Sequence, residues 1–243
     1  MHHSGGNIDT PSNQRARNVE ENDFFLFKRP SSVIYWKKGK YNRESEAFRL
    51  GGPRMGARRA LQKRGTRNMH ISELPRERFE GYEVVFSYES KGYYDLKMRC
   101  TENVFALEFV RTPCAPVHKE FVDHLFAPYW DDPHAYALCD GKEMRAILEV
   151  TPENWNNRLR ITNLCVQEGY RRRGYGSLLM TRAREIARAQ RRRALILETQ
   201  SCNTGAIAFY MNQGFSLMGF NACEYSNQDA EKHEIRLEMG CLL

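Results

Sequence analysis

Val166-Gln167-Glu168-Gly169-Tyr170-Arg171-Arg172-Arg173-Gly174-Tyr175-Gly176-Ser177 joins an apolar strand, Leu159 to Val166, to a long helical stretch, Gly174 to Arg191. The first turn of a helix presents backbone N–H groups without intrahelical partners, and the helix dipole adds partial positive charge there. A strand, a glycine-bearing loop and a helix start in that order therefore make a seat for a phosphate anion. Three consecutive arginines supply the charge that a diphosphate would use. The stretch is not a Walker loop, because no Gly-Lys-Ser/Thr follows, and it is not Gly-x-Gly-x-x-Gly. Taken alone, such a stretch is equally a plain turn beside a solvated run of charge.

Working outward, the elements on both sides alternate. Downstream, Ala194 to Thr199 is a continuous apolar strand. Asn203 to Gln213 reads as a short helix with Asn203 at its start and Gly214 as its C-terminal cap. Phe215 to Tyr225 and His233 to Met239 read as final strands. Upstream, Ala135 to Cys139 and Glu143 to Val150 flank Asp140-Gly141, a hairpin turn signal. Thr151 to Arg158 is a polar loop carrying Trp155. Tyr93 to Arg99 and Val104 to Arg111 alternate as strands do, and Met69 to Leu74 reads as a first strand. Pro75 to Tyr88 and Val117 to Tyr129 are expected to be helices. Proline sits in the first turn of the former, and Phe79, Tyr82, Val85 and Phe86 fall at helical spacing. Phe121, Leu125 and Phe126 do the same in the latter. The expected fold class is α/β, a mixed and largely antiparallel sheet flanked by helices.

Composition bounds the alternatives. The chain has 243 residues, 41% hydrophobic and 28% charged, enough apolar material for a real core. No apolar run approaches the ~20 residues of a membrane span. Met1 to Asn22 lacks the apolar segment of a signal peptide, which points to a cytoplasmic protein. The formal net charge is +7, but residues 1–68 hold 15 basic and 6 acidic residues, and the other 175 hold 22 and 24. The basicity belongs to the N-terminal part, so nucleic acid is an expected partner only through residues 1–68. Residues 1–68 are read as a basic extension and residues 69–243 as the folded domain. Met69 is itself a candidate natural start of translation. Seven scattered cysteines without CxxC or Cys/His spacing read as reduced thiols, with no metal site.

A second block lies at a fixed distance from the first: Leu197-Glu198-Thr199-Gln200, then Asn203, Ala206, Phe209, Tyr210, Gly214 and Phe215. Together the two blocks resemble the GNAT acyltransferase superfamily. Arg171, Gly174 and Gly176 match its pattern Gln/Arg-x-x-Gly-x-Gly/Ala. Asn203, Ala206, Tyr210, Gly214 and Phe215 match Asn-x-x-Ala-x-x-x-Tyr-x-x-x-Gly-Phe. The C-terminal part, through Tyr225-Ser226-Asn227, is similar to streptothricin acetyltransferases and their bacterial relatives.

The resemblance implies a GNAT fold and direct acetyl transfer from acetyl-CoA to a primary amine. A small-molecule amine, such as the antibiotic streptothricin, is the expected acceptor, and a homodimer is compatible with the family. Backbone groups of Leu164 and Val166 would pair with the pantetheine arm, and an N–H near Leu164 would stabilise the oxyanion. Arg171, Arg172, Arg173, Gly174, Tyr175, Gly176 and Ser177 would hold the pyrophosphate. Asn203 would bond the pantetheine arm, and Tyr210 would protonate the departing thiolate. Where streptothricin acetyltransferases carry an acidic pair, this chain has Thr162 and Asn163, and where histone-type members carry a glutamate it has Arg160. Glu149 and Glu198 are the substitute base candidates. Trp130-Asp131-Asp132 and Glu153 to Asn157 are candidate cation-binding loops. Two alternatives stand beside this reading: acetylation of a protein N-terminus or lysine, and a non-catalytic acyl-CoA-binding module with a nucleic-acid-binding basic tail.

Overall fold

The computed structural model describes residues 69–229 and 231–243. The expectations placed on residues 1–68 lie outside the described residues. Seven strands form one sheet in the order β1-β4-β5-β6-β7-β9-β8. They are β1 (Met69–Leu74), β4 (His134–Asp140), β5 (Glu143–Glu153), β6 (Arg158–Val166), β7 (Ala194–Gln200), β8 (Ser216–Asn221) and β9 (Arg236–Leu242). Every neighbouring pair is antiparallel except β6 and β7, which are parallel. The mixed, largely antiparallel α/β architecture is as the sequence implies. The β4–β5 turn falls at Gly141, whose φ of 61° suits glycine.

Helix α2 (Tyr175–Ala189) packs on β5, β6 and β7 through Leu179, Met180, Ala183, Ile186 and Ala187. Those positions follow helical spacing, so one stripe is apolar and the arginines fall outside it. Helix α3 (Thr204–Asn212) follows β7 and ends where Gly214, at φ 79°, lets Phe215 N–H bond back to Tyr210 O at 3.0 Å.

The two expected upstream helices are corrected. Only Arg76–Phe79 is helical, as a single short turn, α1. The chain then enters β2 (Glu83–Cys100), which pairs along its length with β3 (Phe105–His124) as a separate two-stranded sheet. Val84, Phe86, Tyr88 and Ser90 are buried while their neighbours are more exposed, a period of two. The apolar and aromatic residues that fit helical spacing fit this alternation as well, and tertiary contact decides between them. Phe86 is fully buried and stacks on Phe121 of β3, ring centroids 5.0 Å apart. Tyr94 N–H donates to Ser201 O at 3.0 Å, and Lys119 pairs with Glu234 at 2.5 Å. The hairpin is thereby fastened across the sheet where β7 runs into α3. Among the described residues, no helix is long and apolar enough to cross a membrane.

Replacing Phe86 by Ala removes the side chain that ties this hairpin to the core. Urea denaturation is expected to show a loss of about 3–5 kcal/mol. A loss below about 1 kcal/mol would mean that the hairpin is held elsewhere.

Candidate active site

The sheet is split at one place. β6 and β7 pair only from Arg158 to Arg160 against Ala194 to Ile196, whereas β6 stays paired with β5 as far as Val166. Directly after the last β6–β7 pair, the β5–β6 register shifts: Val150 faces Ile161 and Glu149 faces Asn163, leaving Thr162 without a partner. Thr162 is thus the extra residue of a β-bulge, which bends its strand and adds twist. The second half of β6, including Leu164 and Val166, runs on along the gap between the strands.

The loop after Val166 is built around Tyr170. Arg145 lies over its ring at 4.1 Å and Arg173 at 5.0 Å, and Tyr175 stacks on it at 6.1 Å. Arg172 and Gly174 both take positive φ, 58° and 87°. Gly174 is the residue that starts α2, where Leu178 N–H reaches Gly174 O at 3.1 Å. The N–H groups of Tyr175, Gly176 and Ser177 thus lie in the first turn, ahead of the helical hydrogen-bond ladder. Arg172 and Arg173 are exposed, Arg171 is half-buried near Glu168, and the Tyr175 ring is buried in the core. The two glycines do different work. Gly174 supplies the left-handed turn, while a Cβ on Gly176 would meet the Phe209 ring at 3.1 Å, so Gly176 lets α2 approach α3. Ser177 Oγ accepts from Gln213 Nε2 at 3.1 Å, a second tie between those helices.

At the other lip of the gap, Asn203 caps α3: its Oδ1 accepts Ala206 N–H at 3.1 Å. Its Nδ2 is buried without a hydrogen-bond partner, a donor suited to an amide carbonyl entering the gap. Tyr210 lies about two turns further along the same side of the helix, fully buried between Phe209 and Phe215, with centroids at 5.6 and 6.0 Å. An exposed, arginine-bearing helix start, an open strand edge and a buried amide donor together suit a ligand with a phosphate end and an amide-bearing arm. Cys165 and Cys202 are buried, and burial pushes both thiols up, which disfavours a thiolate role.

The two base candidates occupy different surroundings. Glu149 is fully buried, and Phe126 N–H donates to its Oε1 at 2.6 Å. Its Oε2 accepts from Thr162 Oγ1 at 2.6 Å and Asn163 Nδ2 at 2.9 Å. Adjacent strand residues normally face opposite sides, and the bulge at Thr162 is what lets both reach one carboxylate. Burial raises the Glu149 pKa, against the lowering effect of these three hydrogen bonds. Thr162 and Asn163 thus gather around a carboxylate supplied by the neighbouring strand. The sequence reading missed Asp123, which lies beside this cluster because β3 is a strand. Lys119, Phe121 and Asp123 alternate with more exposed neighbours in the folded strand, a pattern the sequence Lys-Glu-Phe-Val-Asp-His does not display.

Glu198 instead belongs to an ion-pair network. Arg236 reaches it at 2.7 Å and Arg160 at 3.9 Å, and Arg160 and Arg158 also bind Glu153 and Glu238. Glu153 is thereby held below its ordinary pKa despite burial, which occupies the acid of one candidate cation-binding loop. Trp155 in that loop is 85% exposed. Among the described residues, no group of three or more His, Cys, Asp or Glu side chains is placed to hold a metal ion.

Residues 94–215 match the Acetyltransferase (GNAT) family, half of the chain, and the chain belongs to that family. It is 32% identical over 104 residues to a streptothricin acetyltransferase of Streptomyces lavendulae, covering 42% of this chain and 54% of that one. It is 35% identical over 74 residues to streptothricin acetyltransferase A of Bacillus subtilis, covering 30% and 43%. The chain thus spans about half the length of the curated relatives it matches. The fold is shared with a Bacillus anthracis protein assigned as a streptothricin acetyltransferase and solved with acetyl coenzyme A. That match has a TM-score of 0.57 at 20% identity and covers 74% of this chain and 99% of that one. It is shared too with nourseothricin acetyltransferase, at TM-score 0.53 and 21% identity, covering 72% and 98%.

Burial raises the Glu198 pKa to about 7, with Arg236 and Arg160 acting against that rise. Because the folded value lies above the ordinary one, ionised Glu198 costs stability increasingly as pH rises from the carboxylate range towards 7. Arg236→Ala is expected to destabilise the fold by about 3–5 kcal/mol at pH 8 and by clearly less at pH 5, where Glu198 is protonated. Thermal unfolding of the variant at the two pH values measures this; an equal loss at both would show that Arg236 does not compensate the Glu198 charge.

Proposed function

We propose that this protein is an acetyl-CoA-dependent N-acetyltransferase acting on the primary amine of a small molecule, streptothricin being the first candidate. The observation that carries the reading is the departure of β6 from β7 at the Thr162 bulge, with the arginine-glycine loop at one end of the gap and Asn203 at its lip. Residues 69–243 are taken as the catalytic domain and residues 1–68 as an extension to it.

In this reading, acetyl-CoA is a substrate lying in the gap. Its pyrophosphate meets the loop from Arg171 to Ser177, and its pantetheine arm adds to the open edge of β6 at Leu164 and Val166, with Asn203 Nδ2 donating to an amide carbonyl. The acceptor amine attacks the thioester carbon directly. The C–N bond forms, the C–S bond breaks, and Tyr210 gives its hydroxyl proton to the leaving thiolate. Glu149 and the groups around it serve the acceptor side. Glu198, engaged by Arg236, is a supporting residue instead. The acceptor enters through an open cavity of about 460 Å³ at the base of the hairpin, whose wall includes Asp123, Phe126 and Tyr129. Phe126 joins that wall to the Glu149 cluster through its N–H.

Incubating the full chain with acetyl-CoA and a panel of streptothricin, polyamines, aminoglycosides and peptides tests the reading, with products read by mass spectrometry. An acetylated small amine is the expected result. Acetylated peptide alone would move the acceptor to protein, and bound acetyl-CoA without any product would leave a non-catalytic binding module. With a turned-over amine in hand, Tyr210→Phe is expected to lower kcat about 100-fold or more without changing acetyl-CoA affinity. Full turnover at every pH would remove Tyr210 as the acid.

A further inference from the structure

A second buried carboxylate, Asp123, meets the Glu149 cluster from a different strand. It is 3% exposed, near the end of β3, and it lines the 460 Å³ cavity. Its Oδ1 accepts the His124 N–H at 2.6 Å. The Asn163 amide stands between the two acids. Its Nδ2 donates to Glu149 at 2.9 Å, and the amide also lies near enough to Asp123 to favour its ionised form. Asn163 Oδ1 is buried and has no hydrogen-bond partner.

A structural role leaves these features unexplained. Other buried or half-buried acids are matched, Glu153 by Arg158 and Arg160, Glu198 by Arg236, and Asp229 by the N–H groups of Glu224, Tyr225 and Ser226. The charged and titratable groups facing Asp123 are Glu149 from β5, His124 from β3, and Glu80 and Tyr129 on the cavity wall. Among the described residues, no lysine or arginine lines that cavity. Two buried carboxylates beside an opening are together short of positive charge, and the Asn163 amide oxygen is short of a donor. A protonated amine brings both.

We propose that Asp123 takes the proton of the acceptor's ammonium group at the wall of this cavity, with Glu149 behind it as a positioning residue acting through Asn163. The inference rests on the N-acetyltransferase reading and names the base for it. The N–H bond of the ammonium breaks, an O–H bond forms on Asp123, and the nitrogen lone pair so released attacks the acetyl carbon. The thiolate then takes the Tyr210 proton, the nitrogen returns its second proton to Tyr210, and Asp123 releases its own to water in the open cavity. The surroundings of Asp123 suit this role. Burial raises its pKa to about 7, the Glu149 charge adds to that, and the His124 hydrogen bond and the Asn163 amide act against it. A base with a pKa near the working pH combines a free carboxylate with useful proton affinity.

The test uses the full chain with acetyl-CoA and whichever amine of the panel, streptothricin first, the wild type acetylates. The wild-type kcat is expected to rise about tenfold per pH unit towards pH 7 and then level. Asp123→Asn is expected to lower kcat about 100-fold or more and to abolish that acidic limb, with acetyl-CoA affinity by calorimetry unchanged. Glu149→Gln removes a like charge, so it should move the limb to lower pH and cost less kcat; it also decides the matter should the Asp123 variant not fold. Wild-type kcat and an unshifted limb in both variants would overturn the proposal and leave the acetyltransferase reading standing. A wild type that acetylates no amine would overturn the reading itself, and this inference with it.

Discussion

One extra residue in one strand organises this molecule. Thr162 has no partner in the β5–β6 register, and the β6–β7 ladder ends two residues before it. Two consequences follow from that bulge. The backbone beyond it separates from β7, which opens the sheet to a ligand along an edge that would otherwise be paired. It also brings Thr162 and Asn163 to the same side, where both bond Glu149. The cofactor gap and the carboxylate cluster are thus products of a single irregularity, and they are adjacent because of it: Asn163, which contacts the acids, precedes Leu164, which lines the gap.

The parts flanking the bulge are held differently. On the paired side, Arg158 and Arg160 of β6 are tied to Glu153 of β5 and Glu238 of β9, so charge pairs fix three strands where the sheet is still continuous. On the open side, buried acids lack such partners and the amide donor of Asn203 is unmatched. The contrast between Glu198, matched by arginine, and Asp123, matched by none in its cavity, separates two acids whose burial is otherwise alike.

Much of this was legible in the sequence where the physics is local. The arginine-glycine loop, the Asn203 cap and the Gly214 terminator depend on hydrogen bonds and backbone angles within a few residues, and all three sit where their spacing put them. The outer half of the hairpin was legible as the alternating strands Tyr93 to Arg99 and Val104 to Arg111, but the inner half was not, because Val84, Val85, Phe86 and Phe121 satisfy a helical period and an alternating one in short windows. That misreading hid Asp123 inside an expected helix. The ion pair of Glu198 was hidden for another reason: Arg236, its partner, lies 38 residues further along, and no local pattern announces a pairing made across β7 and β9.

The strand edge opened by the Thr162 bulge, with the start of α2, is the proposed seat of acetyl-CoA, and everything else in the mechanism depends on it. Amide hydrogen exchange on the full chain, with and without acetyl-CoA, tests it most directly. Ligand is predicted to slow exchange at backbone amides from Leu164 to Val166 and from Gly174 to Leu178, and near Asn203. Binding that leaves those amides unchanged and protects another part of the molecule would contradict it.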